Sequence, residues 1–292
     1  MIITKLIGGL GNQMFQYSVA RHLAVIHNTE LKMDISPFSD YRVRKYSLDV
    51  FDIPQSFASS SEIASLAVTR NDILDRLVRY LDVIGIHLYP DTYIKERAHC
   101  FDPKILRLPN DVYLDGYWQS EKYFVRISDI IRREFTVKFP LSKLDRAVAH
   151  DIQSSESVSV HIRRGDYVTE PFINLVLGTC DLRYYYDCVE CLTLKVRRPH
   201  FFIFSDDPEW ARTNLLLPAP ATYVDHNGAD RDYNDLRLMS LSKHHIIANS
   251  TFSWWGAWLC TNKGKIVFAP KKWFNKSNLD TKDIIPGTWF SR

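Results

Sequence analysis

The second half of the chain alternates between short apolar stretches and amphipathic ones, and this alternation constrains the fold more than any other feature of the sequence. The apolar stretches are typical of buried strands, and the stretches between them carry apolar residues at helical spacing. The predicted elements are strand 158–163, helix 183–194, strand 201–205, helix 208–216, strand 222–224, helix 233–241, strand 246–248, helix 252–261 and strand 265–268. This order predicts an α/β fold whose parallel sheet is covered by helices on both faces.

The first fifty residues begin in the same way. They predict strand 2–7, a glycine turn at 8–11, helix 12–27 and strand 30–35. Prolines interrupt the pattern from 36 to 139, where only helix 72–81 and strand 112–118 are predicted, and a helical stretch at 142–153 separates the two halves. Because a domain commonly contains ~100–200 residues, we expect one domain at 1–150 and a second at 151–292.

Composition excludes several classes of protein. The chain has 292 residues, of which 46% are hydrophobic and 24% charged, so it is neither collagenous, coiled-coil nor disordered. A net charge of +3 is too small to indicate a nucleic-acid groove. No apolar run approaches the ~18 residues of a membrane helix, and no signal peptide begins the sequence. We therefore expect a cytoplasmic protein without a transmembrane segment or a nucleic-acid partner.

The five cysteines indicate reduced thiols rather than a disulfide framework, because their number is odd and the chain is long enough to fold without staples. Cys188 and Cys191 have the spacing of a redox or zinc motif. They lie within predicted helix 183–194, and no second pair completes a zinc site. We interpret them as ordinary helix thiols.

Polar groups with a common theme follow the predicted strands. Parallel sheets bind ligands beyond the carboxyl ends of their strands, so these positions are the ones where chemistry is expected. Glycines, hydroxyls, carboxylates and two adjacent arginines occupy them, at 8–13, 161–167, 205–207, 225–227 and 249–253.

The pair Arg163-Arg164 is the most informative of these groups. A guanidinium is planar, permanently charged and able to bind phosphate through two parallel hydrogen bonds, which suits a diphosphate. Asp166 can orient one of the two arginines. The alternative is a structural salt bridge between Arg164 and Asp166.

Residues 249–253 open a predicted helix directly after an apolar strand. The free N–H groups and the positive end of the helix dipole favour phosphate binding there. Simple N-capping by Ser or Thr is the alternative. Trp254, Trp255 and Trp258 follow at helical spacing, which predicts core packing rather than platforms for sugar rings.

The N-terminal glycines also permit a dinucleotide site. Gly9 and Gly11 fit a G-x-G-x-x-G pattern, and Asp34 lies where an acid could bind a ribose, but the third glycine of the pattern falls on Met14. A plain tight turn and a ligand loop of another kind remain open. No P-loop sequence is present.

Four segments resemble the bacterial α-1,2-fucosyltransferases: 8–17 (GGLGNQMFQY), 116–124 (GYWQSEKYF), 161–167 (HIRRGDY) and 248–259 (ANSTFSWWGAWL). They span nearly the whole chain in the order of that family. The resemblance implies an α/β fold of the GT-B type, with two Rossmann-like domains facing across a cleft. It also implies that GDP-fucose binds mainly to the C-terminal domain and the acceptor mainly to the N-terminal domain.

The resemblance implies roles for individual residues. His161, Arg163 and Arg164 match the group that holds the GDP diphosphate, and Asn12 matches an asparagine facing the sugar-phosphate linkage in related protein O-fucosyltransferases. Either Asp225 or Asp206 would bind guanine, which leaves that assignment open. The complete predicted donor-binding set is Asn12, Gln13, His161, Arg163, Arg164, Asp206, Asp225, Asn249, Ser250, Thr251, Phe252 and Ser253.

The implied reaction is transfer of L-fucose with inversion, in which the 2-hydroxyl of a galactoside displaces GDP. Predicted catalytic residues are His161, Arg163, Asp166 and Glu170, and the general base stays open among His161, Asp166 and Glu170. The resemblance implies neither a cofactor nor a metal, and the adjacent Asp206 and Asp207, which form no D-x-D motif, agree with metal independence.

The expected partners are GDP-fucose and a galactose-terminated oligosaccharide or lipid-linked glycan. The setting would be the bacterial cytoplasm or the periphery of the inner membrane, in O-antigen, capsule or oligosaccharide synthesis. Two other functions remain as alternatives: an NAD-dependent oxidoreductase that uses Gly9, Gly11 and Asp34, and a non-catalytic carbohydrate-binding protein that uses the tryptophans. The sequence predicts neither the identity of the galactoside nor the oligomeric state.

Overall fold

A computed structural model describes residues 1–39, 44–67, 89–275 and 279–292, and predicted helix 72–81 lies outside the described residues. The chain forms two compact units, Met1–Thr136 and Val137–Arg292. The predicted boundary at residue 150 falls within a helix, Lys143–Ser154, that belongs to the second unit.

The first unit contains a four-stranded parallel sheet. Its described helices and strands are β1 (Ile2–Lys5), α1 (Leu10–His27), β2 (Leu31–Asp34), α2 (Ser60–Ala67), β3 (Tyr93–Lys95), β4 (Val112–Asp115) and α3 (Ser128–Glu134). The strand order is β2-β1-β4-β3, so β1 and β4 are the two central strands. Ile2 and Ile3 of β1 are fully buried, and α1 ends at Asn28 in the left-handed conformation common at helix C-termini.

The second unit contains a six-stranded sheet that is also parallel. Its elements are α4 (Lys143–Ser154), β5 (Glu156–Ile162), α5 (Gly165–Thr169), α6 (Pro171–Val176), α7 (Leu182–Lys195), β6 (Pro199–Ser205), α8 (Pro208–Asn214), β7 (Ala221–Val224), α9 (Asp232–Leu241), β8 (His244–Ile246), α10 (Thr251–Leu259), β9 (Val267–Ala269) and β10 (Phe290–Ser291). The strand order is β10-β9-β8-β5-β6-β7. The predicted alternation of strands and helices is confirmed.

The core of the second unit explains this alternation. Val158, Val160 and Ile162 of β5 are buried beside Phe201 and Ile203 of β6, and α7 covers them with its own apolar side chains. Both faces of the sheet are covered, because the alternating Ser157, Ser159 and His161 of β5 are buried as well as its apolar residues. β5 lies between β8 and β6, so the residues after Ile162 emerge near the middle of the sheet edge.

Two smaller predictions are also confirmed. Trp254, Trp255 and Trp258 are at most 4% exposed and pack in the core of the second unit. The five cysteines, all of which lie among the described residues, are free thiols, with Cys188 and Cys191 on α7. Within the described residues, no helix combines the length and apolar character that crossing a membrane requires.

Candidate functional site

The site in the second unit is built around the loop that follows β5. The Arg163 guanidinium forms ion pairs with Asp166, at 2.5 Å, and with Asp206, at 2.9 Å. Asp206 comes directly after β6, and the register that pairs Ile162 with Ser205 brings it opposite the arginine. The pairing of β5 with β6 therefore places Asp206 next to Arg163.

Gly165 lets the carboxylate of Asp206 approach the backbone. A Cβ atom at this position would lie 2.5 Å from Asp206 Oδ2, so a larger residue would push the carboxylate away. The other carboxylate oxygen, Oδ1, accepts a hydrogen bond of 2.8 Å from the backbone N–H of Arg164. Both oxygens of Asp206 thus hold the arginine loop, which makes this residue a structural support of the site.

Arg164 is held by a different pair of residues. Its Nε donates to Asp207 Oδ2 at 3.0 Å, and its guanidinium carbon lies 3.8 Å from the centre of the Trp210 ring. Such a cation-π contact fixes the plane of the guanidinium. The salt bridge considered between Arg164 and Asp166 is not formed, because Asp166 pairs with Arg163.

Trp210 and Tyr167 were not among the predicted site residues. The guanidinium carbon of Arg163 lies 5.2 Å from the centre of the Tyr167 ring. The guanidinium of Arg164 lies over the Trp210 ring in the same way. The sequence does show an aromatic residue a few positions after each polar strand end. The local sequence does not predict, however, that these rings contact the arginines.

Two polar atoms at the centre of the site have no hydrogen-bond partner within the described part of the chain. They are Nε of Arg163 and Nδ1 of His161, and both are buried. Buried polar groups are normally paired, and leaving one unpaired costs about 1–3 kcal/mol. Two such atoms, on side chains two positions apart at the end of β5, therefore indicate a place where a polar ligand binds.

His161 is neutral in this environment. Its side chain is on β5 and only 4% exposed, and burial together with the nearby charge of Arg163 lowers the pKa of His161 to about 3. The ring can exchange a hydrogen bond with a ligand, but it does not supply a positive charge. Of the three residues predicted to bind the diphosphate, only the two arginines therefore carry a positive charge.

The start of α10 lies beside this arginine loop. The Phe252 ring, in the first turn of the helix, is 5.6 Å from the His161 ring. Ser250 is the N-cap residue, yet its side chain makes no capping hydrogen bond. Ser253 donates to the carbonyl of Ser250, and Thr251 is the first helical residue. The helix thus brings the positive end of its dipole close to His161 and the arginine loop.

Two predicted donor-binding residues have their side chains committed to the fold. Nδ2 of Asn249 donates to the carbonyls of Leu177, Gly178 and Trp273, which ties the strand end before α10 to two other loops. Gln13 is fully buried, and its amide bonds the carbonyls of Gly8 and Lys45 and the N–H of Ser47. Both side chains therefore support loops of the fold.

The remaining predicted residues lie in different surroundings. Asp225 follows β7, is exposed, and pairs with Arg212 at 2.5 Å. Glu170 is exposed at the junction of α5 and α6. Asn12 belongs to the first unit, where its Oδ1 accepts a hydrogen bond of 3.0 Å from Gln119. The site at β5 thus brings together His161, Arg163, Arg164, Asp166, Asp206 and the start of α10.

The structure also bears on the dinucleotide alternative. Asp34 is 3% exposed, and its carboxylate accepts hydrogen bonds from the Tyr113 hydroxyl, at 2.6 Å, and from the backbone N–H of Ser36, at 2.9 Å. Met14, in place of the third glycine, is fully buried in the core. The acid that a ribose would need is therefore occupied within the fold.

The sequence was compared with known proteins. It matches the family described as "Glycosyl transferase family 11" over residues 87–291. It is 33% identical to an alpha-1,2-colitosyltransferase of Escherichia coli, over 99% of this chain and 98% of that protein. It is also 33% identical to the O-antigen biosynthesis glycosyltransferase WbnK of Escherichia coli, over 93% of this chain and 95% of that protein. The human galactoside alpha-(1,2)-fucosyltransferase 1 is 26% identical over 50% of this chain and 42% of its own length.

A solved structure shares the fold. A mutant of Arabidopsis thaliana FUT1 in complex with GDP aligns with a TM-score of 0.51 and 13% identity, over 92% of this chain and 70% of that chain. Together with the two parallel sheets, this likeness confirms the α/β fold of the GT-B type. The resemblance to the α-1,2-fucosyltransferases is confirmed at the level of the family, which favours a transferase over the oxidoreductase and the non-catalytic binding protein. The chain belongs to glycosyl transferase family 11.

Proposed function

We propose that this glycosyltransferase transfers L-fucose from GDP-β-L-fucose to the 2-hydroxyl of a terminal β-galactoside, with inversion at the anomeric carbon. The observation that carries the proposal is the pair of unpartnered buried atoms, Arg163 Nε and His161 Nδ1, beside the start of α10. A guanidinium fixed by two carboxylates and a helix N-terminus suit a diphosphate.

The fixed positions of the arginines support a role in leaving-group stabilisation. As the bond from the sugar to the diphosphate breaks, negative charge grows on the leaving GDP. Donors that are already oriented stabilise that charge without reorganising during the reaction. Arg163 is oriented by Asp166 and Asp206, and Arg164 by Asp207 and Trp210.

Asp225 is the better of the two predicted guanine-binding carboxylates. Asp206 has both oxygens engaged with the arginine loop, whereas Asp225 is exposed and its ion pair with Arg212 is a surface contact. Surface ion pairs contribute little stability, about 0–1 kcal/mol, so a ligand can replace one. A carboxylate that accepts from two adjacent N–H groups of guanine would select GDP over ADP.

Glu170 is the strongest of the three candidates for the general base. Asp166 is bound by Arg163, and the neutral His161 has a pKa too low for an effective base. Glu170 is an exposed carboxylate four residues after Asp166. Because a base must reach the acceptor hydroxyl, an exposed carboxylate near the diphosphate site fits this role.

A second donor is favoured by one comparison. The alpha-1,2-colitosyltransferase matches nearly the full length of this chain, and colitose is L-fucose without its 3-hydroxyl. The galactoside alpha-(1,2)-fucosyltransferase supports fucose, and WbnK supports an acceptor that belongs to an O-antigen. Both sugars are 6-deoxy sugars with the same configuration at the remaining centres, so GDP-colitose is the rival donor.

The experiment measures GDP release from GDP-fucose and from GDP-colitose with a panel of β-galactosides. We expect GDP-fucose to be the better donor, with release that requires a galactoside. Faster release from GDP-colitose would reassign the donor while leaving the diphosphate site intact. Release from UDP- or ADP-sugars at comparable rates would contradict the proposal.

A further inference from the structure

A strained turn follows β4 in the first unit. Trp118 has a φ of 55°, in the left-handed region that bulky residues rarely adopt. Its side chain is 1% exposed, so the conformation is held within the fold. Strain of this kind persists only where the surroundings enforce it, and it concentrates at functional sites.

Glu96 enforces the conformation of this turn. Its Oε2 accepts a hydrogen bond from the backbone N–H of Tyr117 at 2.6 Å, and its Oε1 accepts one from that of Trp118 at 3.1 Å. β3 and β4 are neighbours with Lys95 opposite Asp115, so Glu96 stands opposite Gly116. A Cβ at Gly116 would lie 2.3 Å from Cβ of Glu96. Only glycine allows the carboxylate to come this close.

The turn delivers Gln119 to the centre of the sheet edge. Nε2 of Gln119 donates to Oδ1 of Asn12 at 3.0 Å, and Asn12 lies in the first turn of α1, just beyond β1. The chain leaves β1 toward β2, while β4 lies on the other side of β1. The edge between β1 and β4 is therefore the switch point of this sheet, where parallel sheets bind ligands.

Unused hydrogen-bonding groups lie in the same turn. Oε1 of Gln119 and Nε1 of Trp118 are buried, and neither has a hydrogen-bond partner among residues 1–39, 44–67, 89–275 and 279–292. Buried polar atoms are normally paired, so this turn holds one hydrogen-bond acceptor and one donor near Asn12 that could bind a ligand.

We infer that Glu96 is a positioning residue: by binding the amides of Tyr117 and Trp118 it holds the turn so that Gln119 orients the Asn12 side chain toward an uncharged polar ligand, a sugar hydroxyl or glycosidic oxygen. The inference rests on the proposed sugar transfer for its functional consequence. The geometry of the turn stands on its own contacts.

The ionised form of Glu96 is the one that suits this role. A carboxylate accepts from two N–H groups at once, whereas a protonated carboxyl has one oxygen occupied by its own hydrogen. Burial raises the pKa of Glu96 to about 6, against the opposing effect of the two amides, and the carboxylate of Asp115 adds to the rise. Lys5 and Tyr93 both bind Asp115. The charge of Glu96 in turn contributes to the raised pKa of the Tyr123 hydroxyl.

The kinetic test uses Glu96→Gln. Its NH₂ group would face one of the two amides, so the turn should loosen. We expect kcat to fall about tenfold or more while KM changes less than about threefold. In the wild type the acid limb of kcat should include an inflection near pH 6, and in Glu96→Gln this inflection should disappear, leaving only the decline that protonation of the general base itself causes. A variant that keeps wild-type kcat, or that keeps the inflection near pH 6, would overturn the inference.

Glu134→Gln is the matched control, because Glu134 is also a mostly buried carboxylate of the first unit. It is bound by Arg21 and by the Tyr17 hydroxyl, away from the turn. We expect this variant to lower the melting temperature while leaving kcat and its acid limb unchanged. A loss of activity that follows stability alone would appear in both variants.

A second readout does not depend on activity. The backbone amide proton shifts of Tyr117 and Trp118, measured by NMR, should titrate in the wild type with a midpoint near the raised pKa of Glu96, about 6, and should not titrate in Glu96→Gln. If no sugar is transferred by the wild type, the proposed function fails while this titration still tests the turn. The absence of a titration in the wild type would refute the role of Glu96.

Discussion

Arg163 combines three contacts that fix its guanidinium before a ligand arrives. Asp166 and Asp206 bind its terminal nitrogens, and the Tyr167 ring lies beneath it. Nε remains the one nitrogen of the group that is buried with no partner in the described chain. Because these contacts hold the guanidinium in one orientation, Arg163 is the residue that we propose contributes most to diphosphate binding.

Arg163→Ala should therefore lower kcat/KM about 100-fold or more, the equivalent of ~3 kcal/mol. Arg163→Lys keeps the charge but loses the planar fork, so we expect a smaller loss, about tenfold. Steady-state kinetics and calorimetry with GDP measure both effects. Arg183→Ala, which removes an arginine 88% exposed on α7, is the control. An alanine variant at position 163 that retained more than half of the wild-type kcat/KM would refute the diphosphate role.

Local sequence places the arginine loop at the end of β5, but it does not reveal which groups some of the neighbouring side chains bind. His161, Arg163 and Arg164 lie together because they fall within four consecutive positions at the end of β5. Gln13 and Asn249 bind carbonyls that are distant in sequence, such as those of Lys45 and Trp273, and no local pattern reveals such partners. The same limit hid Trp210, whose orientation depends on how α8 packs against β6.

At the scale of elements, the N-cap serines of α4 and α10 differ: one caps its helix with its side chain and the other does not. Ser142 at α4 accepts a hydrogen bond from the N–H of Asp145, and Asp145 bonds back in a complete capping box. Ser250 at α10 makes no capping hydrogen bond with its side chain. A hydroxyl that does not cap its own helix is available for a phosphate oxygen.

Ser250→Ala should weaken GDP binding about tenfold or more, since it loses roughly one hydrogen bond to a charged group, with little change in melting temperature. Ser142→Ala should do the opposite, because losing an N-cap costs ~1 kcal/mol of stability and does not touch the site. Calorimetry with GDP and thermal unfolding of both variants provide the measurement. Destabilisation by Ser250→Ala without a change in GDP affinity would favour capping.

The loop between β7 and α9 carries a second pH-sensitive element. Nδ2 of Asn227 donates to both Asp145 and Asp235, and burial, reinforced by the charges of Asp232 and Asp145, raises the pKa of Asp235 to about 7. His226 also binds Asp145. Since the raised pKa means that the folded protein holds the proton more tightly, the stabilisation is complete below the ordinary pKa of the group and disappears as the pH rises through 7.

Asp235→Asn should therefore keep the stability that the wild type loses between pH 5 and pH 8. The expected gain of the variant over the wild type across this range is about 3 kcal/mol, because the pKa of Asp235 lies about two units above pH 5 and each pKa unit corresponds to about 1.4 kcal/mol. Chemical denaturation at the two pH values gives the difference. Equal pH dependence in both proteins would show that Asp235 does not titrate in this range.

Element types in the second half were predictable, and the exceptions have physical causes. Apolar periodicity located β5 to β9 and α7 to α10 because each buries a regular face. α5 and α6 were missed because they are only five and six residues long, separated by the extended residue before Pro171. β10 was missed because it is a two-residue strand paired with a distant one, β9.

At the scale of the whole molecule, the chain consists of two units, each with its own parallel sheet and its own polar groups at the carboxyl edge. The second unit holds the arginine loop and the start of α10, and the first holds Asn12 and the turn fixed by Glu96. A net charge of +3 is compatible with the proposed donor site, because a few oriented cations and helix ends would bind a diphosphate without a basic surface.

Transfer should proceed without a divalent metal ion. In the proposed site, Arg163, Arg164 and the N-terminus of α10 would supply the positive charge that a metal would otherwise place on the diphosphate. Product formation in excess EDTA should equal that in untreated enzyme. A loss of activity that Mn²⁺ or Mg²⁺ restores would contradict the metal-free mechanism.

The linkage of the product tests the central claim most directly. GDP-fucose and a β-galactoside are incubated with the enzyme, and NMR of the purified product locates the new bond and its anomeric configuration. We predict an α-linked fucose on the 2-hydroxyl of galactose. A bond to another hydroxyl, a β-linked product or release of free fucose alone would contradict the account.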